Sequence, residues 1–196
     1  PTNLPIASDQ ITSMIRGASS TIDKLTNEIS LEKQNYEEIS KKQNFNKEFF
    51  ASMPALKPME GYYSTNGFGL RMHPVLGIFK DHKGLDIIND VGTPVYASAD
   101  GNIEIAGQTG GGYGIMILID HGFGYETLYA HLSQVLVKEH AHVKRGDLIA
   151  KSGRTGLVSG PHLHYEVRYK GVIQNPVNYF LDDVKPSDLK SGVAEK

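Results

Sequence analysis

Cysteine is absent from the 196 residues. That excludes disulfide bridges and thiolate-ligated zinc, but it leaves the compartment open, because exported domains also fold without bridges. No apolar run reaches the ~20 residues that a membrane-spanning helix needs. No basic run stands out either: 20 Lys and Arg against 22 Asp and Glu leave a net charge of −2. Nucleic acid is therefore excluded as the main partner, since phosphate binding calls for a concentrated basic surface. A signal peptide is also missing, but the chain starts at Pro1 rather than Met, so an export signal or membrane anchor outside these residues stays open.

The length suits one ordinary domain with an appendage, or two small domains, and a hydrophobic fraction of 39% supports a core of moderate size. Between Ile6 and Phe50 there is no Pro, and Gly17 is the single Gly. Apolar residues recur at Ile11, Ile15, Ala18, Ile22, Leu25 and Ile29, and again at Tyr36 and Ile39 after Glu32 interrupts the series. Steps of four and three make a heptad seam with Ile15, Ile22, Ile29 and Tyr36 at its a positions. The pattern predicts one long helix from Asp9 to about Phe49. Its seam either folds back on the rest of the chain or forms a coiled-coil arm for self or partner association. Pro54 and Pro58 end the pattern.

From Gly61 the texture turns Gly-rich and β. Strands are expected at 85–88, 94–97, 101–106, 115–120, 125–132, 147–152 and 162–169, separated by turn signals such as Asp100-Gly101 and Lys170-Gly171. With no convincing helix between them, they predict a mainly β fold, an antiparallel β-sandwich or partly open barrel. Ile115–Ile119 is apolar on both faces and should be a central strand. A short helix is expected around 177–181. The expected organisation is a helical segment over 1–52, a connector over 53–60, a β domain over 61–182 and a polar tail over 183–196. Gly110-Gly111-Gly112 is read as a tight hairpin rather than a phosphate cradle, because no Lys-Ser/Thr and no helix follow.

Eight histidines are present. His140 and His142 read as solvated loop residues, His121 as structural, and His73 as a loop residue before Pro74. The other four carry more chemistry. From His162 onward, alternation puts His162, His164, Glu166 and Arg168 on one strand face, so two imidazoles can converge on one object. His82 and Asp86 in His82-Lys83-Gly84-Leu85-Asp86 offer a second pair. A catalytic zinc takes three N/O ligands and leaves one position to water. His82, Asp86 and His164 would supply them, with His131 and His162 left for proton transfer and oxyanion stabilisation. Spacing alone does not decide whether His162 or His164 is the ligand.

These motifs resemble those of the lysostaphin and LytM-type zinc metallopeptidases, the M23 peptidases that cut peptidoglycan peptides. The resemblance runs from about Tyr62 to Tyr179. It rests on Gly67-Phe68-Gly69-Leu70-Arg71-Met72-His73-Pro74, His82-Lys83-Gly84-Leu85-Asp86 and Gly92-Thr93-Pro94-Val95-Tyr96-Ala97. Leu128-Tyr129-Ala130-His131-Leu132 and Gly160-Pro161-His162-Leu163-His164-Tyr165-Glu166 complete it. It implies a LytM-type β catalytic domain with one zinc per chain on His82, Asp86 and His164. His131 and His162 would then orient or deprotonate the water and stabilise the transition state. Lys83 departs from the small polar residue common at its position. The implied substrate is the stem-peptide cross-link of peptidoglycan, at D-alanyl–diaminopimelate bonds rather than glycine bridges, which places the protein in the periplasm or cell envelope. Two other readings are a latent or non-catalytic regulator acting through the N-terminal helix, and a zinc hydrolase of another substrate class.

Overall fold

The computed structural model describes residues 6–72 and 77–181. His73 and the expected polar tail lie outside them. The chain divides into two compact units, residues 1–48 and 49–196.

Helix α1, Ile6–Ser52, is slightly longer than the seam predicts. Hydroxyls inside it bond back to carbonyls one turn earlier, Thr21 to Gly17, Thr26 to Ile22 and Ser30 to Thr26, which satisfies them without breaking the helix. The seam residues Ile15, Ile22, Ile29 and Tyr36 are exposed. Among the described residues no helix is long and apolar enough to cross a membrane.

The last turn of α1 belongs to the second unit. It carries no basic residue of its own to oppose the partial negative charge of a helix C-terminus. Arg145 supplies that charge from a distant loop, donating to the carbonyls of Phe50 at 2.5 Å, Met53 at 2.9 Å and Ala51 at 3.3 Å.

Every strand pairing described in the second unit is antiparallel. Its strands are β1 (Gly69–Met72), β2 (Phe79–His82), β3 (Leu85–Ile87), β4 (Pro94–Tyr96), β5 (Gly101–Gln108) and β6 (Ile115–Gly122). β7 (Tyr125–Val135), β8 (His142–Val143), β9 (Leu148–Ser152), β10 (Leu163–Tyr169) and β11 (Val172–Gln174) follow. β1 and β2 form a ribbon of their own, while the other nine strands share one sheet ordered β11-β10-β7-β6-β5-β8, with β3 on β10 and β4-β9 joined to β7.

The seven expected strands are all present. The periodicity missed β1, β2, β8 and β11, which are short and, except for Val143 in β8, hold no buried residue, so alternation had little to register. The expected helix at 177–181 is instead a single 3₁₀ turn, Pro176–Asn178, capped by the Asn175 side chain.

β7 explains how one sheet encloses a core. Its first part pairs with β6 and β10, its end pairs with β9, and the register shifts between Leu132 and Gln134. Such a bulge bends and twists a strand. The main apolar cluster accordingly draws on β3, β4, β5, β6, β7, β9 and β10, with Leu85, Val95, Ile103, Ile117, Tyr129, Ile149 and Tyr165 among its members. Met116 and Leu118 point instead to a second cluster with Leu128 and Ala130, so β6 is covered on both faces, as its unbroken apolar run requires.

Candidate metal centre

β3 and β10 lie side by side with Asp86 directly opposite His164, and β7 flanks β10 on its other side. His82 ends β2, and His162 enters β10 through an isolated bridge to Gly153. Four elements, of which only β2 and β3 are neighbours in sequence, thus deliver His82, Asp86, His131, His162 and His164 to one place.

His82 Nε2, Asp86 Oδ1 and His164 Nδ1 form a triangle with sides of 3.0, 3.0 and 3.2 Å. Ligand atoms about 2.0–2.1 Å from a tetrahedral zinc are themselves about 3.3 Å apart, so this donor set fits that ion closely. His162 Nε2 stands at 3.6 Å from Asp86 Oδ1, outside the triangle. The His131 ring lies 4.8 Å from the His162 ring and 5.8 Å from the His164 ring. All five predicted residues are therefore brought together.

Backbone carbonyls orient three of the imidazoles. His82 Nδ1 is 2.6 Å from Gly67 O, His131 Nδ1 2.8 Å from Thr155 O, and His162 Nδ1 2.9 Å from Gly160 O. A carbonyl oxygen only accepts, so each Nδ1 donates and each Nε2 keeps its lone pair for the centre.

His131 reaches its place by a backbone device. It sits in β7 with φ of 62°, a left-handed conformation that costs a non-glycine residue free energy and is found mainly where surrounding structure enforces it. Gly84 serves the opposite purpose, leaving room. A Cβ there would lie 2.4 Å from Tyr165 O and 2.9 Å from the His164 ring, so any larger residue would displace that imidazole.

The electrostatics follow from this crowding. Burial alone would raise the Asp86 carboxyl, but the His164 and His82 imidazoles beside it, which when protonated donate to it and carry charge, hold it well below the usual carboxylate range. Arg71, on the neighbouring ribbon, pairs with its other oxygen, Oδ2. His131 is lowered to about 4, first by burial and then by the charge of His162. For His164, burial pulls the imidazole down, but bonds to Asp86 and Glu166 outweigh it and raise it.

Arg71 escaped the sequence reading as a contributor, because nothing in the motif that carries it places it against Asp86. Glu166, Arg168 and Tyr113 also escaped. The alternation that put Glu166 and Arg168 on the histidine face was a signal for two of them, and it assigned them no role. Neither the exposed His140 and His142, the latter in β8 beside Asn102 rather than in the loop expected for it, nor the buried His121 joins the centre. His121 bonds to Asp100 O and Thr127 Oγ, both at 2.7 Å.

Comparison with known proteins gives this geometry a context. The peptidoglycan DD-endopeptidase ShyC of Vibrio cholerae is 44% identical over 115 residues, covering 58% of this chain and 26% of its own length. A solved structure described as a zinc containing peptidase, also from Vibrio cholerae, superposes with a TM-score of 0.54 at 36% identity, over 61% of this chain and 37% of that one. The catalytic domain of the antimicrobial peptidase lysostaphin from Staphylococcus simulans superposes with a TM-score of 0.55 at 31% identity, over 61% of this chain and 91% of that domain. The chain spans 23–33% of the length of the curated relatives it matches most strongly. The model of peptidase family M23 matches residues 80–176, from β2 to the 3₁₀ turn and so across the whole histidine cluster, and this chain belongs to that family.

Proposed function

We propose that this protein is a zinc-dependent endopeptidase that hydrolyses the peptide cross-links of bacterial peptidoglycan in the cell envelope, at D-alanyl–diaminopimelate bonds. The observation that carries this reading is the triangle of His82 Nε2, Asp86 Oδ1 and His164 Nδ1, which has the donor types and spacing of a zinc site. The family membership and the DD-endopeptidase relative support the substrate.

His82, Asp86 and His164 would hold one zinc per chain. When bound, that ion supplies polarisation of the scissile carbonyl and brings the pKa of a water from 15.7 towards about 7. The chain's own groups do the rest. His131, lowered to about 4, is neutral near pH 7, with Nδ1 tied to Thr155 O and Nε2 free to accept a proton from the attacking water. His162 presents Nε2 in the same way, its Nδ1 tied to Gly160 O. Once either imidazole holds that proton, it can donate to the developing oxyanion or to the leaving amine. Arg71 on Asp86 Oδ2 leaves Oδ1 as the oxygen facing the imidazoles. An intact five-residue centre disfavours a purely regulatory role, since binding alone needs none of this proton-handling geometry.

The test is incubation with purified diaminopimelate-type peptidoglycan, with and without a chelator, followed by mass spectrometry of the released peptides. Chelator-sensitive conversion of cross-linked dimers to monomers is expected. Zinc-loaded protein that leaves the dimers intact but opens glycine bridges would overturn the choice of bond, and zinc-loaded protein that cleaves neither would overturn the peptidase reading.

A further inference from the structure

Three of the four imidazoles in the centre are held by main-chain carbonyls, and each presents Nε2. His164 is turned the other way. Its Nδ1 faces Asp86 Oδ1 and His82 Nε2, both at 3.0 Å, while its Nε2 points away from the triangle to Glu166 Oε1 at 3.2 Å. We propose that Glu166 is a positioning residue: it accepts a hydrogen bond from the Nε2–H of His164, fixes the imidazole's orientation and tautomer, and so reserves Nδ1 as the metal-binding atom. This inference rests on the ligand set proposed above.

Glu166 is built for that task. It is fully buried, and a buried carboxylate needs partners on both oxygens. Tyr113 donates to Oε1 at 2.7 Å, and Arg168 donates to Oε2 from Nη2 at 2.8 Å and from Nε at 3.2 Å. Held at both ends, the carboxylate keeps its plane, and the remaining direction at Oε1 is the one that His164 occupies. The period-two geometry of β10 makes the arrangement, because residues 164, 166 and 168 project from the same face.

Tyr113 ties two parts of the centre together. Its hydroxyl holds Glu166, while its backbone carbonyl accepts the N–H of His131 at 2.9 Å. The loop bearing Tyr113 is seated by a second close approach: at Gly114, φ is 69° and a Cβ would lie 2.5 Å from the Thr155 backbone. A carboxylate that takes the distal N–H of a ligand imidazole raises the ligand's basicity and restricts its ring, and loss of such a group typically weakens metal affinity about 10–100-fold.

The test compares the full chain with Glu166→Gln, which keeps the side chain's size, and Tyr113→Phe, which removes only the hydroxyl. Zinc affinity is measured by competition with a chromophoric chelator, and folding by circular dichroism of the zinc-free proteins. Glu166→Gln should bind zinc about tenfold more weakly and Tyr113→Phe by a smaller factor, with both spectra unchanged. Long-range ¹H–¹⁵N correlation spectra of the zinc-loaded unaltered protein should place the His164 proton on Nε2, a readout that needs no variant to fold. A His164 proton on Nδ1, or an unchanged zinc affinity in a folded Glu166→Gln protein, would overturn the role of Glu166. Failure of the unaltered protein to bind zinc would instead overturn the metal reading on which it rests.

Discussion

His131 and His162 lie within the cluster but outside the triangle of His82 Nε2, Asp86 Oδ1 and His164 Nδ1, and this separation makes their roles testable. His131→Ala and His162→Ala should each keep close to the full complement of zinc, read by metal analysis after dialysis. Each should lose turnover by about 10²–10⁴-fold, the usual worth of a positioned general acid or base. Loss of zinc from either variant would contradict the assignment. Residue types and spacing, His-x-His on one strand face and His-x-x-x-Asp elsewhere, suggested a candidate metal site, and the family resemblance chose His164 over His162 as the ligand. The tautomers were not legible. They depend on Gly67 O, Thr155 O and Gly160 O, which are backbone atoms that any residue would present and that only folding brings into reach. Nor could a reading of strand periodicity foresee the left-handed backbone of His131, since it arises where β7 changes partners.

The long helix and the strands were legible to different extents, for a physical reason. A seam repeated over several heptads is a strong local signal, and α1 exceeds its predicted limits by only three residues at each end. Its exposed seam residues are consistent with the association surface expected of them, which stays a proposal. Strands that bury one face or both were found, whereas the ribbon of β1 and β2 was not, because its residues are mostly exposed. The stop at Ser52 was visible in Pro54, but the group that caps the helix was not: Arg145 lies more than ninety residues later. Arg145→Ala should destabilise the protein by about 2 kcal/mol, since three carbonyls at a helix end lose a charged donor. Urea unfolding checks this, and a midpoint equal to that of the unaltered protein would show the cap to be energetically idle.

Acid stability is a property of the whole molecule, and His121 should govern part of it. Burial lowers this imidazole to about 4, against the contrary pull of Asp100 and Asp120. Above pH 6.5 the group is neutral in folded and unfolded chains alike and contributes nothing. As pH falls from 6.5 to about 4 the unfolded chain binds a proton that the folded one refuses, so stability declines, by about 3 kcal/mol in all. Burial is the cause of the refusal and outweighs the Nδ1 bond to Asp100 O, while Nε2 meets Thr127 Oγ, which lies 3.0 Å from the buried Tyr129 hydroxyl. Stability measured between pH 8 and pH 4 should fall more steeply for the unaltered protein than for His121→Gln, and parallel curves would remove His121 from the account. The mainly β fold class and the helical and β division of the chain could be stated before any coordinate because periodicity is local, and the five residues of the centre because their motifs resemble those of a known family. Folding alone decided that Asp86 stands opposite His164, that Arg71 takes its second oxygen, and that Tyr113 and Arg168 clamp Glu166 behind the imidazole. Except for Arg168 beside Glu166, those contacts join residues 15, 53 and 78 positions apart, and strand register, which sets them, is determined by the packing of the sheet as a whole.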